Sequence, residues 1–228
     1  MASGPEKPAS ALPLWRIIWW RLLHAICWLW MVVCYRYRCW GTGYIPRTGP
    51  VLFVSNHQSH FDPILAGLGL WRRPFYALAR TTLWHNPLLA WLISSLNAIP
   101  VERNSGDLKA MRRCMDVLID GQTLLLFPEG TRTPHADGHM GRFKPGLLLI
   151  IKRSRPRIVP VAIEGAQFIW PRTRKFPCLT GRIGVMYGQP IDACVLIDLP
   201  PDQAMEHLQQ HIETMRQEVA RRLAHAGN

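Results

Sequence analysis

The spacing of apolar residues changes several times along the chain, and each change predicts an element. Val51-Leu52-Phe53-Val54-Ser55 and Thr123-Leu124-Leu125-Leu126-Phe127 are short apolar runs bounded by turn-forming residues, as expected of strands buried on both faces. Ala98-Ile99-Pro100-Val101, 158–163 and 183–187 read the same way. Pro100 cannot donate to a ladder and places its strand near a sheet edge. Helical spacing appears at 83–96, at 107–120 ahead of Gly121, and at 146–153. Asp62-Pro63 is a helix start, with Asp as cap and Pro at the first position. Met205, Leu208, Ile212, Met215, Val219 and Leu223 recur every three or four residues. They form the stripe of an amphipathic helix opened by Asp202. Strands alternating with helices predict an α/β fold with a single globular domain over 41–228. Residues 1–13, rich in Pro, Ala and Ser, are expected to form a mobile tail.

Composition adds a further segment. Residues 22–35 are apolar except for His24, and six of the ten Trp precede residue 41. Arg16 and Arg21 interrupt the stretch before this run, and Arg36 and Arg38 follow it. A bilayer span takes about 20 apolar residues, so the run is short, and Trp and Arg favour the headgroup zone. The expectation over 14–40 is a membrane-associated helical segment, a helix or bent pair lying in the interface or dipping into one leaflet. A single tilted span and a cleaved signal peptide compete with it, although no small-x-small cleavage site follows the run.

Lys and Arg total 27 against 15 Asp and Glu, a formal charge of +12, while 48% hydrophobic residues exclude a disordered chain. Such a charge fits anionic lipid or nucleic acid alike. The aromatics, however, cluster with apolar residues instead of interleaving with Lys and Arg, so membrane lipids are the expected partners and nucleic acid is not. The six cysteines include no C-x-x-C pair. They read as reduced thiols of a cytosol-facing protein, with no metal site.

Four segments carry candidate chemistry. Asn56-His57-Gln58-Ser59-His60-Phe61-Asp62 follows one predicted strand, and strand ends are where open α/β sheets bind ligands. A turn over five residues can return the Asp62 carboxylate to one imidazole nitrogen of His57 and leave the other as a general base, with His60 as the rival. Phe127-Pro128-Glu129-Gly130-Thr131-Arg132 follows another strand. Its glycine permits close backbone approach, its arginine offers a fork for phosphate, and Glu129 can orient that arginine or bind a hydroxyl. Ile99-Pro100-Val101-Glu102-Arg103 places a cation past a third strand, and Gly141-Arg142-Phe143-Lys144-Pro145-Gly146 adds Lys144 near the Glu129 loop. The fourth segment is Val159-Pro160-Val161-Ala162-Ile163-Glu164-Gly165.

The order NHQSHFD, IPVER, FPEGTR, VPVAIEG resembles the glycerolipid acyltransferase family, whose type members are the 1-acylglycerol-3-phosphate O-acyltransferases, over roughly 41–190. The resemblance implies a central mixed sheet flanked by helices, with His57 as base and Asp62 holding its tautomer. It implies Arg103, Glu129, Gly130, Thr131 and Arg132 at the acceptor's phosphate and polar head, and Pro160 at the acyl-side pocket. Arg80, in Leu78-Ala79-Arg80, stands where many bacterial members carry Lys, and Asn97 stands where members often carry Gly. The implied reaction passes a fatty acyl chain from acyl-CoA or acyl-carrier protein to lysophosphatidic acid. It needs no cofactor, no metal and no acyl-enzyme, and no G-x-S-x-G elbow is present. The implied setting is the cytoplasmic face of a bacterial inner membrane. Another lysophospholipid, glycerol 3-phosphate or a lyso-aminolipid as acceptor, and a non-catalytic lipid-binding module, are the alternatives.

Overall fold

The computed structural model describes residues 14–102, 107–133 and 138–225, and the tail expected over 1–13 lies outside them. In chain order the elements are α1 (Leu14–Tyr35), β1 (Arg38–Trp40), β2 (Val51–Ser55), α2 (Asp62–Leu68), β3 (Tyr76–Arg80), α3 (Pro87–Ser95), β4 (Ala98–Val101), α4 (Leu108–Ile119), β5 (Thr123–Leu126), α5 (Gly146–Ser154), β6 (Arg157–Glu164), α6 (Ala166–Ile169), β7 (Gly184–Tyr187), α7 (Ala193–Ile197) and α8 (Pro201–His225). Among the described residues seven strands form one sheet in the order β1-β7-β6-β2-β5-β3-β4. The five strands from β6 to β4 run parallel. β7 is antiparallel to β6, and β1 follows β7 in parallel, which makes the sheet mixed.

Period-two alternation divides the core into two layers. Leu52, Val54, Leu124 and Leu126 face one layer with the buried sides of α4, α5, α7 and α8. Val51, Phe53, Val159, Val161 and Ile163 face the other, under α1, α2 and α6. Every residue of β2 is buried, because its central position is covered on both faces. Pro100 does sit at the edge, in β4. The stripe of α8 from Met205 to Leu223 is buried, as its spacing requires.

Three local features differ from the sequence pattern. The apolar stretch expected over 14–40 divides: α1 ends at Tyr35, Arg36 takes a left-handed φ of 45°, and Arg38–Trp40 is a sheet strand. The helix expected over 83–96 is shortened to α3 behind a 3-10 turn, Thr81–His85. Pro87 forces Asn86 into an extended conformation, from which the Asn86 side chain caps Leu89 N–H at 3.1 Å. The sequence pattern did not reveal β3, because Tyr76-Ala77-Leu78-Ala79-Arg80 contains no β-branched residue.

The end of β2 is clamped to β6 by a side chain. Asn56, fully buried, donates through Nδ2 to Ile163 O at 2.9 Å and accepts from Ile163 N at 2.8 Å. These two bonds extend the β2–β6 ladder by one rung after β2 itself has ended. Asn56→Ala strands a buried N–H and a buried C=O, and should lower stability by about 2–4 kcal/mol. Urea unfolding checks this: the midpoint falls at unchanged slope, and an unchanged midpoint would show that the clamp contributes nothing.

Candidate active site

The strands β2, β5 and β3 point their carboxyl ends at one crevice, where a parallel sheet presents its loops. Asp62 opens α2, but it does not act as a conventional cap. The N-cap position belongs to Phe61, and the Asp62 carboxylate turns back over the loop. Its Oδ2 accepts from Gln58 N at 2.5 Å, Ser59 N at 2.7 Å and His57 Nδ1 at 2.7 Å. Asp62 is completely buried, whereas the His57 side chain is 19% exposed. The carboxylate accepts at Nδ1, so Nδ1 carries the hydrogen, and whenever the ring is neutral the lone pair is on Nε2. His60 does not share this carboxylate. Its ring lies against Trp170 at 4.6 Å.

His57 is held by its backbone as well. Its N–H donates to Glu129 Oε1 at 2.7 Å, and its C=O accepts from Thr133 N at 2.7 Å. Its ring stacks on Phe127 with centroids 4.4 Å apart and 25° between planes. Glu129, 6% exposed, accepts with its other oxygen from Gly141 N at 2.8 Å. Both carboxylate oxygens therefore serve backbone groups, and Glu129 bridges the β2 loop, its own loop and the Gly141 segment. Burial pushes its pKa up to about 7, against the pull of the Gly141 and His57 N–H groups and with a smaller push from the Asp62 charge. Lys144 N–H donates to Pro128 O at 2.9 Å, and Gly130, at a φ of 67°, lies beneath the Lys144 side chain where no other residue type fits without displacing the amine.

Arg80 ends β3, and Thr131 and Arg132, both half-buried, follow Gly130. The His60 pKa is lowered, first by burial, then by the charges of Arg132 and His57; Asp62 opposes the shift and Arg80 adds to it. Both guanidinium groups therefore act on the crevice. Arg103 lies outside the described residues. Pro160 is not at the crevice rim. It pairs with Val54 inside the sheet, accepts from Gly188 N at 2.8 Å, and its ring borders Gly188 beside the Met215 sulfur. Phe127, Thr133, Gly141 and Trp170 join the site without having been assigned roles from sequence. Only Phe127 carried a signal, its position directly after a strand in FPEGTR. The others act through backbone groups or from a distant segment.

Among the described residues no group of three His, Cys, Asp or Glu side chains is placed to hold a metal ion. The crevice offers instead one imidazole with an oriented lone pair beside cations, an arrangement fit to take a proton from a hydroxyl next to an anionic group.

The family model described as Acyltransferase matches residues 36–164, more than half of the chain. The chloroplastic 1-acyl-sn-glycerol-3-phosphate acyltransferase LPAT1 of Arabidopsis thaliana is 30% identical over 145 residues, 62% of this chain and 39% of that protein. The lyso-ornithine lipid O-acyltransferase of Pseudomonas aeruginosa is 37% identical over 94 residues, 40% of this chain and 34% of its own. The chain thus spans less than half the length of either relative. The crystal structure of the 1-acyl-sn-glycerophosphate acyltransferase PlsC from Thermotoga maritima superimposes with a TM-score of 0.75 at 22% identity, over 90% of this chain and 79% of that one. The fold is therefore shared.

Glu129 also makes stability depend on pH. Its native pKa is about 7 against an ordinary 4.5, so between these values the native state holds a proton that the unfolded chain has released. The contribution is full below about pH 4.5 and is lost as pH rises through 7. Relative to Glu129→Gln, the wild type should lose about 2–3 kcal/mol between pH 4.5 and pH 8. Parallel stability curves for the two proteins in denaturant would contradict this.

Proposed function

The chain belongs to the acyltransferase family, and we propose that it moves a fatty acyl chain from a thioester, acyl-CoA or acyl-carrier protein, to the free hydroxyl of lysophosphatidic acid, giving phosphatidic acid. The observation that carries this reading is the 2.7 Å bond from His57 Nδ1 to the buried Asp62, which leaves Nε2 as an oriented base. In the proposed step the acceptor hydroxyl gives its proton to Nε2 while its oxygen attacks the thioester carbonyl. Collapse of the tetrahedral intermediate forms the ester, and the leaving thiolate takes the proton back from the imidazolium. Asp62 keeps the ring oriented and stabilises the imidazolium while it exists. Glu129 is a positioning residue, because both its oxygens hold backbone rather than substrate. Arg132, Arg80 and Lys144, with Arg103 from the neighbouring motif, are assigned to the acceptor's phosphate, where planar guanidinium forks and an ammonium suit an anion. Pro160 supports the site from within the sheet. The names of the acyltransferase relatives support the acceptor, and the lyso-ornithine relative supports a lyso-aminolipid as the second reading.

The reading includes a membrane surface. Ile17–Tyr35 is long and apolar enough to cross a bilayer, but α1 is fastened to the domain along its length. Trp19 Nε1 donates to Ser95 Oγ at 3.1 Å, Trp20 packs on Phe75 and Trp30 on Phe61, each with centroids 5.4 Å apart, and Met31 and Tyr35 are buried. A helix upright in the bilayer would drag this polar-faced domain into hydrocarbon. We therefore place α1 flat in the interface, with Ile18, Leu22, Ile26, Leu29 and Val33 toward the acyl chains and α3 adding Leu88 and Trp91.

The test is acyl transfer by the full chain in micelles, with labelled palmitoyl-CoA or palmitoyl-carrier protein and competing lysophosphatidic acid, lyso-ornithine lipid and glycerol 3-phosphate. Product on lysophosphatidic acid supports the reading, product on another acceptor moves the substrate, and no product with either donor removes the enzyme. His57→Ala should lower turnover by about 10³-fold or more while thermal stability stays within a few degrees. Near-normal turnover would exclude His57 as base. Arg132→Ala should raise KM for the phosphorylated acceptor by about tenfold or more with a smaller change in kcat, and an unchanged KM would remove it from the headgroup.

A further inference from the structure

A second cluster lies at the other end of α2, away from the crevice. Charge along the chain is segregated: between Arg16 and Val101 the sequence carries eight arginines, no lysine and a single carboxylate, the buried Asp62. Several of these arginines have evident structural roles. Arg73, for example, donates to Pro46 O and Gly49 O, both at 2.7 Å. Arg21 and Arg72 are exposed, and among the described residues no carboxylate pairs with either. Arg21 sits on the flank of α1 where the exposed apolar stripe meets the domain. Beside it a cavity of about 430 Å³ is lined by Arg21, His24, Ala25, Trp28, Leu68 and Trp71. The Arg72 guanidinium lies over the Trp71 ring, 4.4 Å from its centroid. Trp28 and Trp71 are each 48% exposed, and Ile18, Leu22 and Leu29 of the neighbouring stripe are each more than half exposed.

We propose that this cavity binds the phosphate of an anionic bilayer phospholipid that is not the acyl acceptor. The proposal rests on the flat placement of α1 given above. Two unpaired guanidinium groups beside a cavity favour a phosphodiester, because each can present a planar pair of N–H donors to its oxygens. Two indoles at the same level match the glycerol and ester zone, where Trp partitions. Arg21 and Ala25 of the cavity lie one helical turn from Ile18 and Leu22 of the apolar stripe, so the tails of the bound lipid continue along Ile18 and Leu22. This makes the occupant a lipid rather than a free phosphate, which would gain nothing from that surface. α2 separates the cavity from Asp62 by about 10 Å of helix rise, too far for the bound phosphate to reach His57. The site therefore fixes the chain's seat on the membrane and leaves the crevice open for substrate.

The test uses the full chain, vesicles of neutral phosphatidylcholine, and vesicles with a third of the lipid replaced by phosphatidylglycerol. Arg21→Gln with Arg72→Gln should weaken binding to anionic vesicles by roughly thirtyfold, the effect of two interfacial cations, and leave binding to neutral vesicles unchanged. Lys152→Gln with Arg153→Gln, an equivalent loss of two charges on the exposed side of α5, should change neither. Phosphatidylglycerol retained after purification from mixed micelles gives a second readout: about one per chain in the wild type, and none in the Arg21/Arg72 variant or in Trp71→Ala. Equal losses in the Arg21/Arg72 variant and in the Lys152/Arg153 variant would overturn the site in favour of diffuse charge, as would equal lipid retention by all proteins. Free inorganic phosphate competing off the retained lipid at micromolar concentration would overturn the lipid as occupant. Failure of the wild type to bind either vesicle would remove the membrane placement together with the site, whereas strong binding indifferent to phosphatidylglycerol would remove the site alone.

Discussion

One carboxylate oxygen organises the centre of this protein. Asp62 Oδ2 gathers the N–H groups of Gln58 and Ser59 and the Nδ1 hydrogen of His57 into a single buried acceptor. The two backbone bonds define the curve of the loop between β2 and α2, and the third orients the imidazole. Loop shape and side-chain orientation therefore have the same cause, and the ring cannot turn without releasing a hydrogen bond inside a region that excludes water. Such a bond costs more to leave unmade than it contributes when made. The opposite side of the loop is fixed in the same manner by Glu129, whose carboxylate joins His57 N–H to Gly141 N–H. His57 is thus restrained through its ring, its N–H and its C=O.

The sheet explains why these groups meet. Because β2, β5 and β3 are neighbours running in one direction, the loops that follow them leave on the same side. The crossovers that parallel pairing demands are supplied by the helices, and these cover both faces and exclude water from β2. The strain this places on the loops is taken up at a few positions. Gly130 adopts a positive φ under Lys144, and Asn97 has a φ of 59° just before β4. Asparagine tolerates that region better than most side chains, so the turn into the edge strand is preserved.

A chain of aromatic rings links the apolar helix to the crevice. Trp30 of α1 meets Phe61 edge-on at 5.4 Å, Phe61 meets Trp170 at 4.9 Å, and Trp170 covers His60 at 4.6 Å. Phe61 is the residue immediately before Asp62, so the packing that seats α1 on the domain also supports the start of α2. The apolar helix is consequently part of the core layer as well as a surface. This continuity ties the loop that carries His57 to the surface that α1 presents.

How far the sequence was legible follows from the range of the forces involved. Local forces left local signals. Buried runs such as Val51–Ser55 and Thr123–Leu126, the helix ahead of Gly121, the stripe of α8 and the edge position of Pro100 could all be read from short windows, because burial and helix termination act over a turn or a strand. The spacing of His57 and Asp62 showed that a turn could join them, and the order of the motifs pointed to the family. Contacts between distant segments left no such signal. Neither the bond from Glu129 to Gly141, the Asn56 clamp on Ile163, nor the membership of Arg38–Trp40 in the sheet repeats at any short period. Glu129 in particular read as a ligand for substrate or for Arg132, and only the fold shows that both its oxygens are occupied by backbone. The sequence by itself determined the strands buried on both faces, the amphipathic helices and which residue types could perform proton transfer beside an anion, since these depend on side-chain chemistry and near neighbours. The tertiary structure decided which of those residues face one another, because that depends on strand order and on buried polar groups that must find partners wherever the chain brings them.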